Sequence, residues 1–221
     1  MIPIEYGKYF HIYNKGINSM KIFLDKNDYE HFLNLLSIYL EPISEIYAYA
    51  IMGNHFHLAL RIKDKNEIGY LHPKNADTEE LDVKWKTFFP ADEDDRLKNG
   101  FIKKPVPEKM LQHLFNAYAK GFNKKYHRTG ALFEHPFRRI CVENENYLKR
   151  LIVYIHTNPV KHGFCEHPVE YPWTSYLSLL SIKPTKLSRE TVIGWFDDKM
   201  KFKLLHDKTG DFKDVENIFL E

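Results

Sequence analysis

Two strand-like segments joined by a tight turn place the strongest constraint on how this chain can fold. Residues 45–52 and 55–62 are rich in β-branched, aromatic and small apolar residues. Gly53-Asn54 between them is a two-residue turn signal. These segments predict a β-hairpin, and the elements on either side of it decide the architecture.

The flanking segments supply two more strands and two helices. Residues 6–14 have the aromatic and β-branched character of a strand, and apolar residues recur at helical spacing over 27–40 and 108–125. Residues 131–142 can form a further strand. The order strand, helix, strand, strand, helix, strand is the split βαβ arrangement. It predicts an α+β fold, with a ferredoxin-like antiparallel sheet and helices on one face.

Local signals indicate where several elements begin and end. Asn27 and Glu30 form a possible capping box for the first helix. Pro136 argues that the last strand lies at a sheet edge or is interrupted. A third helix begins after Asn144 and is expected to stop at Asn158-Pro159, because the residue before a proline is biased away from helix.

The remaining segments suggest an insertion and a C-terminal extension. Residues 63–107 are charged, rich in proline and without periodicity, which predicts a loop-rich or partly helical insertion. We expect residues 1–142 to form one domain that contains this insertion. Residues 143–221 are expected to form a mostly helical extension packed on that domain.

Charge is distributed unevenly along a chain whose net charge is only +2. A net charge this small creates no general positive potential around the protein, so it does not argue for any particular partner. Residues 77–95 hold eight acidic residues and two lysines, whereas six basic residues within 120–139 are accompanied only by Glu134. Such a basic stripe can bind a polyanion or can simply be a solvated helix end.

Compartment signals are few. The two cysteines, Cys141 and Cys165, form no CxxC motif and predict no disulfide framework. We find no signal peptide and no apolar run of the roughly 18 residues that a membrane span needs. The expectation is a soluble, cytoplasmic protein with no membrane partner.

The strand at 55–62 carries two histidines where an apolar strand would suffice. Because strand side chains alternate, His55 and His57 share one face with Ala59 and Arg61, and the apolar set faces the helices. The two histidine Cβ atoms should lie roughly 7 Å apart, two strand rises. The pair is either a polar outer face or two ligands of one cation.

Several ordered segments resemble the single-tyrosine HUH transposases, in particular the REP-associated tyrosine transposase branch. They are MGNHFHLAL, HLFNAYAKGFNKKYHRTGALFEHPFRR, YIHTNPVKHGF, HIYNKGINSMKIF and EYPWTSY. The resemblance spans roughly residues 5–178, and it is weakest over 63–107.

The resemblance implies a metal-dependent DNA transesterase that acts as a nickase and religase. His55 and His57 would hold Mg²⁺ or Mn²⁺, and Tyr118 would attack DNA to form a 5'-phosphotyrosine intermediate. Many relatives supply a third ligand one helical turn after the tyrosine. Phe122 occupies that position here, so Asn123 is the candidate third ligand.

The implied partner is single-stranded or hairpin DNA, and the family includes homodimers. Phosphate and base contacts would come from basic and aromatic residues beside the site. The candidates are Arg61, Lys120, Lys124, Lys125, Tyr126, Arg128, Arg138 and Arg139. Salt bridging is the alternative role for Arg61.

Three alternatives stay open at this point. Tyr118 lies on the apolar helical stripe of residues 111–122 and can be an ordinary core residue, with Tyr126 as a competing hydroxyl. The chain can also be a catalytically inactive hairpin-binding protein of the same fold. A zinc hydrolase using His55, His57 and a carboxylate is the third, although no HExxH pair supports it.

Overall fold

The computed structural model describes residues 2–72, 84–91, 99–100 and 102–207. Four strands form one antiparallel sheet in the order β2-β3-β1-β6, and the short pair β4-β5 stands apart. This is the sheet order of a split βαβ fold, so the predicted α+β class is confirmed. The strands are β1 (Tyr9–Lys15), β2 (Ser44–Met52), β3 (His55–Ile62), β4 (Tyr70–Leu71), β5 (Thr87–Phe88) and β6 (Arg138–Val142).

Helices α1 (Lys26–Leu40) and α2 (Pro107–Lys125) pack together on one face of the sheet. Their apolar stripes cover the side of β3 that carries Phe56 and Leu58, and both of these residues are fully buried. The predicted placement of the two helices on one face is therefore confirmed.

The opposite face of the sheet is also covered, which the sequence analysis did not anticipate. Helix α3 (Glu145–Lys161) lies on it, and small residues permit a close approach, since Ala48, Ala50 and Ala59 are fully buried beneath the helix. The face that carries His55 and His57 is therefore not simply a polar outer face, because α3 covers much of it. Helix α3 is buried at every residue from 151 to 159, the pattern of a helix enclosed by protein.

Three shorter helices complete the second layer: α4 (Tyr176–Leu180), α5 (Arg189–Trp195) and α6 (Lys199–Asp207). A chain of buried hydrogen bonds ties α6 to α3. His156 Nε2 and Ser175 Oγ form a hydrogen bond of 2.7 Å, and His156 Nδ1 and His206 Nε2 form one of 2.8 Å. His206 Nδ1 in turn donates to the carbonyl of Phe202, and burial lowers the pKa of both imidazoles.

Several predicted boundaries shift. The capping box of α1 uses Asp25 and Asp28 rather than Asn27 and Glu30. Strand β6 is an edge strand, as predicted, but it begins only after Pro136. Helix α3 continues through Pro159 and ends at Lys161.

Within the insertion, the described residues include the antiparallel pair β4-β5. Most of the acidic segment 77–95, which was expected to lie away from the DNA groove or to cover it, falls outside the described residues. None of the helices in the described ranges has the length and apolarity needed to cross a bilayer.

Candidate functional site

The histidine pair opens into a cleft of about 490 Å³ at the end of the sheet where β1 finishes and β3 begins. The register places Lys15 opposite His55 and Tyr13 opposite His57, so all four share one face. The cleft is lined by Tyr13, Asn14, Lys15, Asn54, His55, Phe56, His57, Glu134, Arg138, His162 and Phe164.

His57 lies deep in this cleft, and only 6% of it is exposed. Its Nδ1 lies 3.0 Å from Nε2 of His11, a hydrogen bond that fixes the ring. Burial holds the pKa of His57 well below its usual value and lowers that of His11 to about 3. Both imidazoles are therefore neutral at physiological pH.

His55 sits nearer the mouth of the cleft. Its Nδ1 donates to Oδ1 of Asn54 at 2.7 Å, and its Nε2 lies 3.4 Å from Oδ1 of Asn158 in α3. The ring of His162 packs against it at a centroid distance of 5.1 Å. Burial, followed by the charge of His162, lowers the pKa of His55 to about 4.

The sequence analysis missed several residues of this site, among them His11, Tyr13, Asn158 and His162. Alternation along β1 puts His11 and Tyr13 on one face, so that part of the signal was available. Asn158 and His162 belong to α3, and only the packing of α3 on the histidine face brings them near.

Tyr118 lies on the other side of the sheet from His57. It belongs to the core between α1 and α2, is 1% exposed, and packs against Phe32 and Phe23. Its hydroxyl donates to the carbonyl of Ile22 at 2.6 Å, and burial raises its pKa above the ordinary phenol value. In this conformation, Tyr118 and the histidine pair do not meet over a common phosphate, which corrects that prediction.

Asn123 does not lie with the histidines either. Its amide nitrogen donates to the carbonyl of Gly130 at 2.9 Å, and its side-chain oxygen accepts from Arg128 at 2.8 Å. These contacts fasten the loop after α2. The assignment of Asn123 as the third metal ligand is not supported by its position.

The adjacent arginines of β6 point to opposite faces. Arg138 is opposite Tyr13 and lines the histidine cleft, where it is exposed and has no ion-pair partner among the described residues. Arg139 faces α2, and its guanidinium donates to Glu108 at 2.9 Å. Of the two, only Arg138 lines the cleft with the histidine pair.

The other candidate DNA contacts lie away from the cleft. At the far end of β3, Arg61 pairs with Glu45, Asp64 and Glu67. Lys125 pairs with Asp25 and Asp28 at the start of α1, and Tyr126 donates to Asp28 at 2.8 Å. Lys120 and Lys124 are exposed on α2.

No protein-family model matches the sequence, and no curated protein matches it. A search of solved structures finds a REP-associated tyrosine transposase bound to a REP hairpin, with a TM-score of 0.51 and 13% identity. The alignment covers 83% of this chain and 87% of the transposase chain. This chain shares the fold of that transposase. At this identity, the likeness concerns the fold alone.

The metal implied by the transposase resemblance can be tested against the donor atoms present. Among the described residues, no group of three or more histidines, cysteines or carboxylates could hold a metal ion. The carboxylate that lines the cleft, Glu134, pairs with Lys15 at 3.3 Å, and the oxygens next to His55 belong to the neutral amides of Asn54 and Asn158. The residues do not fit a ready-made Mg²⁺ or Mn²⁺ site.

Proposed function

We propose that this protein binds hairpin or single-stranded DNA in the histidine cleft. The observation that carries the proposal is the position of Arg138. It is an exposed arginine, unpaired within the described part of the chain, on the same sheet face as the histidine pair. The fold shared with a hairpin-bound transposase supports this choice of ligand.

The chemistry of the cleft suits a nucleic-acid strand. Arg138 and Lys15 supply positive charge for a phosphate. Phe164, 52% exposed at the cleft, offers a ring on which a base can stack. These contacts account for binding without covalent chemistry.

A metal-dependent transesterase is the second candidate, and one observation favours it. Through the hydrogen bond between the two rings, His11 is the kind of outer partner that orients a metal-ligating histidine such as His57. In that mechanism, Tyr118 would have to leave the core and give up its bond to Ile22. We therefore rank binding first.

Fluorescence anisotropy with a labelled hairpin carrying a single-stranded extension tests the binding proposal. In EDTA, we expect the wild type to bind and Arg138→Ala to bind at least about tenfold more weakly. Equal affinity of the two proteins, or no binding by the wild type, would contradict the proposal.

A denaturing gel separates the two candidate functions. With Mg²⁺ or Mn²⁺ present, we expect no covalent protein–DNA adduct from either the wild type or Tyr118→Phe. An adduct that forms with the wild type and disappears in Tyr118→Phe would establish the transesterase instead.

A further inference from the structure

A second cleft, of about 460 Å³, adjoins the histidine cleft on the side of α2. Asn14 and Glu134 line both clefts, so the two form one groove around the end of β1. A DNA strand with a phosphate at Arg138 would therefore pass next to this second cleft. Its volume falls within the roughly 300–1,000 Å³ that small-molecule sites occupy.

The α2 wall of the second cleft is polar but uncharged. Gln112 and Asn116 lie one helical turn apart, are both exposed, and line the cleft together. Neither side-chain amide has a hydrogen-bond partner within the residues that the structure describes. Each therefore has a donor and an acceptor available to a ligand.

The other sides of the second cleft are lined mainly by small and aromatic residues. Phe115, Phe133 and Phe137 are 6–8% exposed and form its apolar floor. Ala119 and Gly130 leave room above that floor, and Gly130 has a positive φ of 86° that disfavours a larger residue there. The cleft thus combines an apolar floor of aromatic residues with amide groups at one edge.

We propose that the second cleft holds an unpaired nucleobase of the strand whose phosphate lies in the histidine cleft. Side-chain amides can pair with the adjacent donor and acceptor on a base edge, and aromatic rings pack against the base. A fully paired hairpin stem cannot present such a base. The inference rests on the proposed DNA binding and specifies which part of the DNA is read.

The test compares a hairpin carrying an intact single-stranded extension with hairpins made abasic at each extension position in turn. We expect the wild type to bind the intact extension about tenfold more tightly than one of the abasic forms. The double variant Gln112→Ala/Asn116→Ala should lose that difference while retaining its affinity for the abasic hairpin. Asn34→Ala, an exposed amide on α1, is the matched control and should behave like the wild type.

Two outcomes would overturn the inference while leaving the proposed function intact. The first is equal wild-type affinity for the intact and all abasic hairpins. The second is a full preference for the intact extension in the double variant. Failure of the wild type to bind any hairpin would instead defeat the proposed function, and this inference with it.

Discussion

At the scale of single residues, neighbours in sequence have unrelated roles because a strand alternates its faces. Arg138 faces the cleft, and Arg139 faces α2, where its side chain is only 5% exposed. The two arginines have the same charge, but the sheet places one in the cleft, as the proposed DNA contact, and the other in a structural ion pair.

Glutamine substitutions at these two positions should therefore give opposite results. Arg138→Gln should lower DNA affinity and reduce the slope of log K against log salt by about 1, with unchanged stability. Arg139→Gln should leave DNA affinity nearly unchanged and lower the free energy of unfolding by roughly 1–3 kcal/mol. Salt titrations and urea denaturation measure the two effects, and a loss of affinity in both variants would refute the assignment.

Glu134 brings a negative charge to the phosphate path, and Lys15 balances it at 3.3 Å. Glu134→Gln removes this repulsion and releases Lys15, so we expect roughly threefold tighter DNA binding at low salt. Glu30→Gln also removes one partner of an exposed ion pair, with Lys26 on α1, and should have no such effect. Unchanged or weaker DNA binding by the Glu134 variant would show that the bound DNA strand does not pass this carboxylate.

At the scale of secondary-structure elements, the basic end of α2 fastens two helices. Asp28 caps α1 by accepting from the backbone of Leu24 and Asp25, and it also receives Lys125 and the hydroxyl of Tyr126. The sequence predicted Lys125 as a DNA contact. In the structure, its positive charge instead holds α2 against α1.

Asp28→Ala should consequently reduce stability rather than DNA binding. The lost cap and charged hydrogen bonds should cost about 2 kcal/mol in the free energy of unfolding. Glu30→Ala, in the same helix, should stay within about 0.5 kcal/mol of the wild type. Urea denaturation measures the difference, and equal stability of the two variants would contradict the role of Asp28.

At the scale of the whole molecule, the helical layer built on α3 buries histidines that stay neutral. Burial lowers the pKa of His11 to about 3 and that of His206 to about 4, from about 6.5. The unfolded chain therefore binds more protons than the folded one below about pH 6.5. Stability is full above that pH and falls with decreasing pH until the folded pKa values are reached.

This linkage predicts acid-sensitive stability. Each of these two histidines should lower the free energy of unfolding by roughly 2 kcal/mol between pH 6.5 and pH 5. One unit of pKa difference between the folded and unfolded chain corresponds to about 1.4 kcal/mol. Urea denaturation at several pH values measures this loss, and His206→Gln should make the decline shallower. A free energy of unfolding that is the same at pH 7 and pH 5 would contradict it.

The sequence by itself determined the elements and their order, because strand and helix periodicities are local properties. It also located His55 and His57, and its apolar stripe over 111–122 left open that Tyr118 belongs to the core. The resemblance to the REP-associated tyrosine transposases likewise came from short sequence segments, each of which is recognisable without the tertiary structure.

Only the tertiary structure decided which of these residues meet. It put Tyr118 and His57 on opposite sides of one sheet and laid α3 over the histidine face. It also paired Lys125 and Arg139 with carboxylates and left Arg138 in the cleft. The physical reason is that sheet order, helix packing and ion pairing join residues far apart in the chain, where no local pattern specifies the partner.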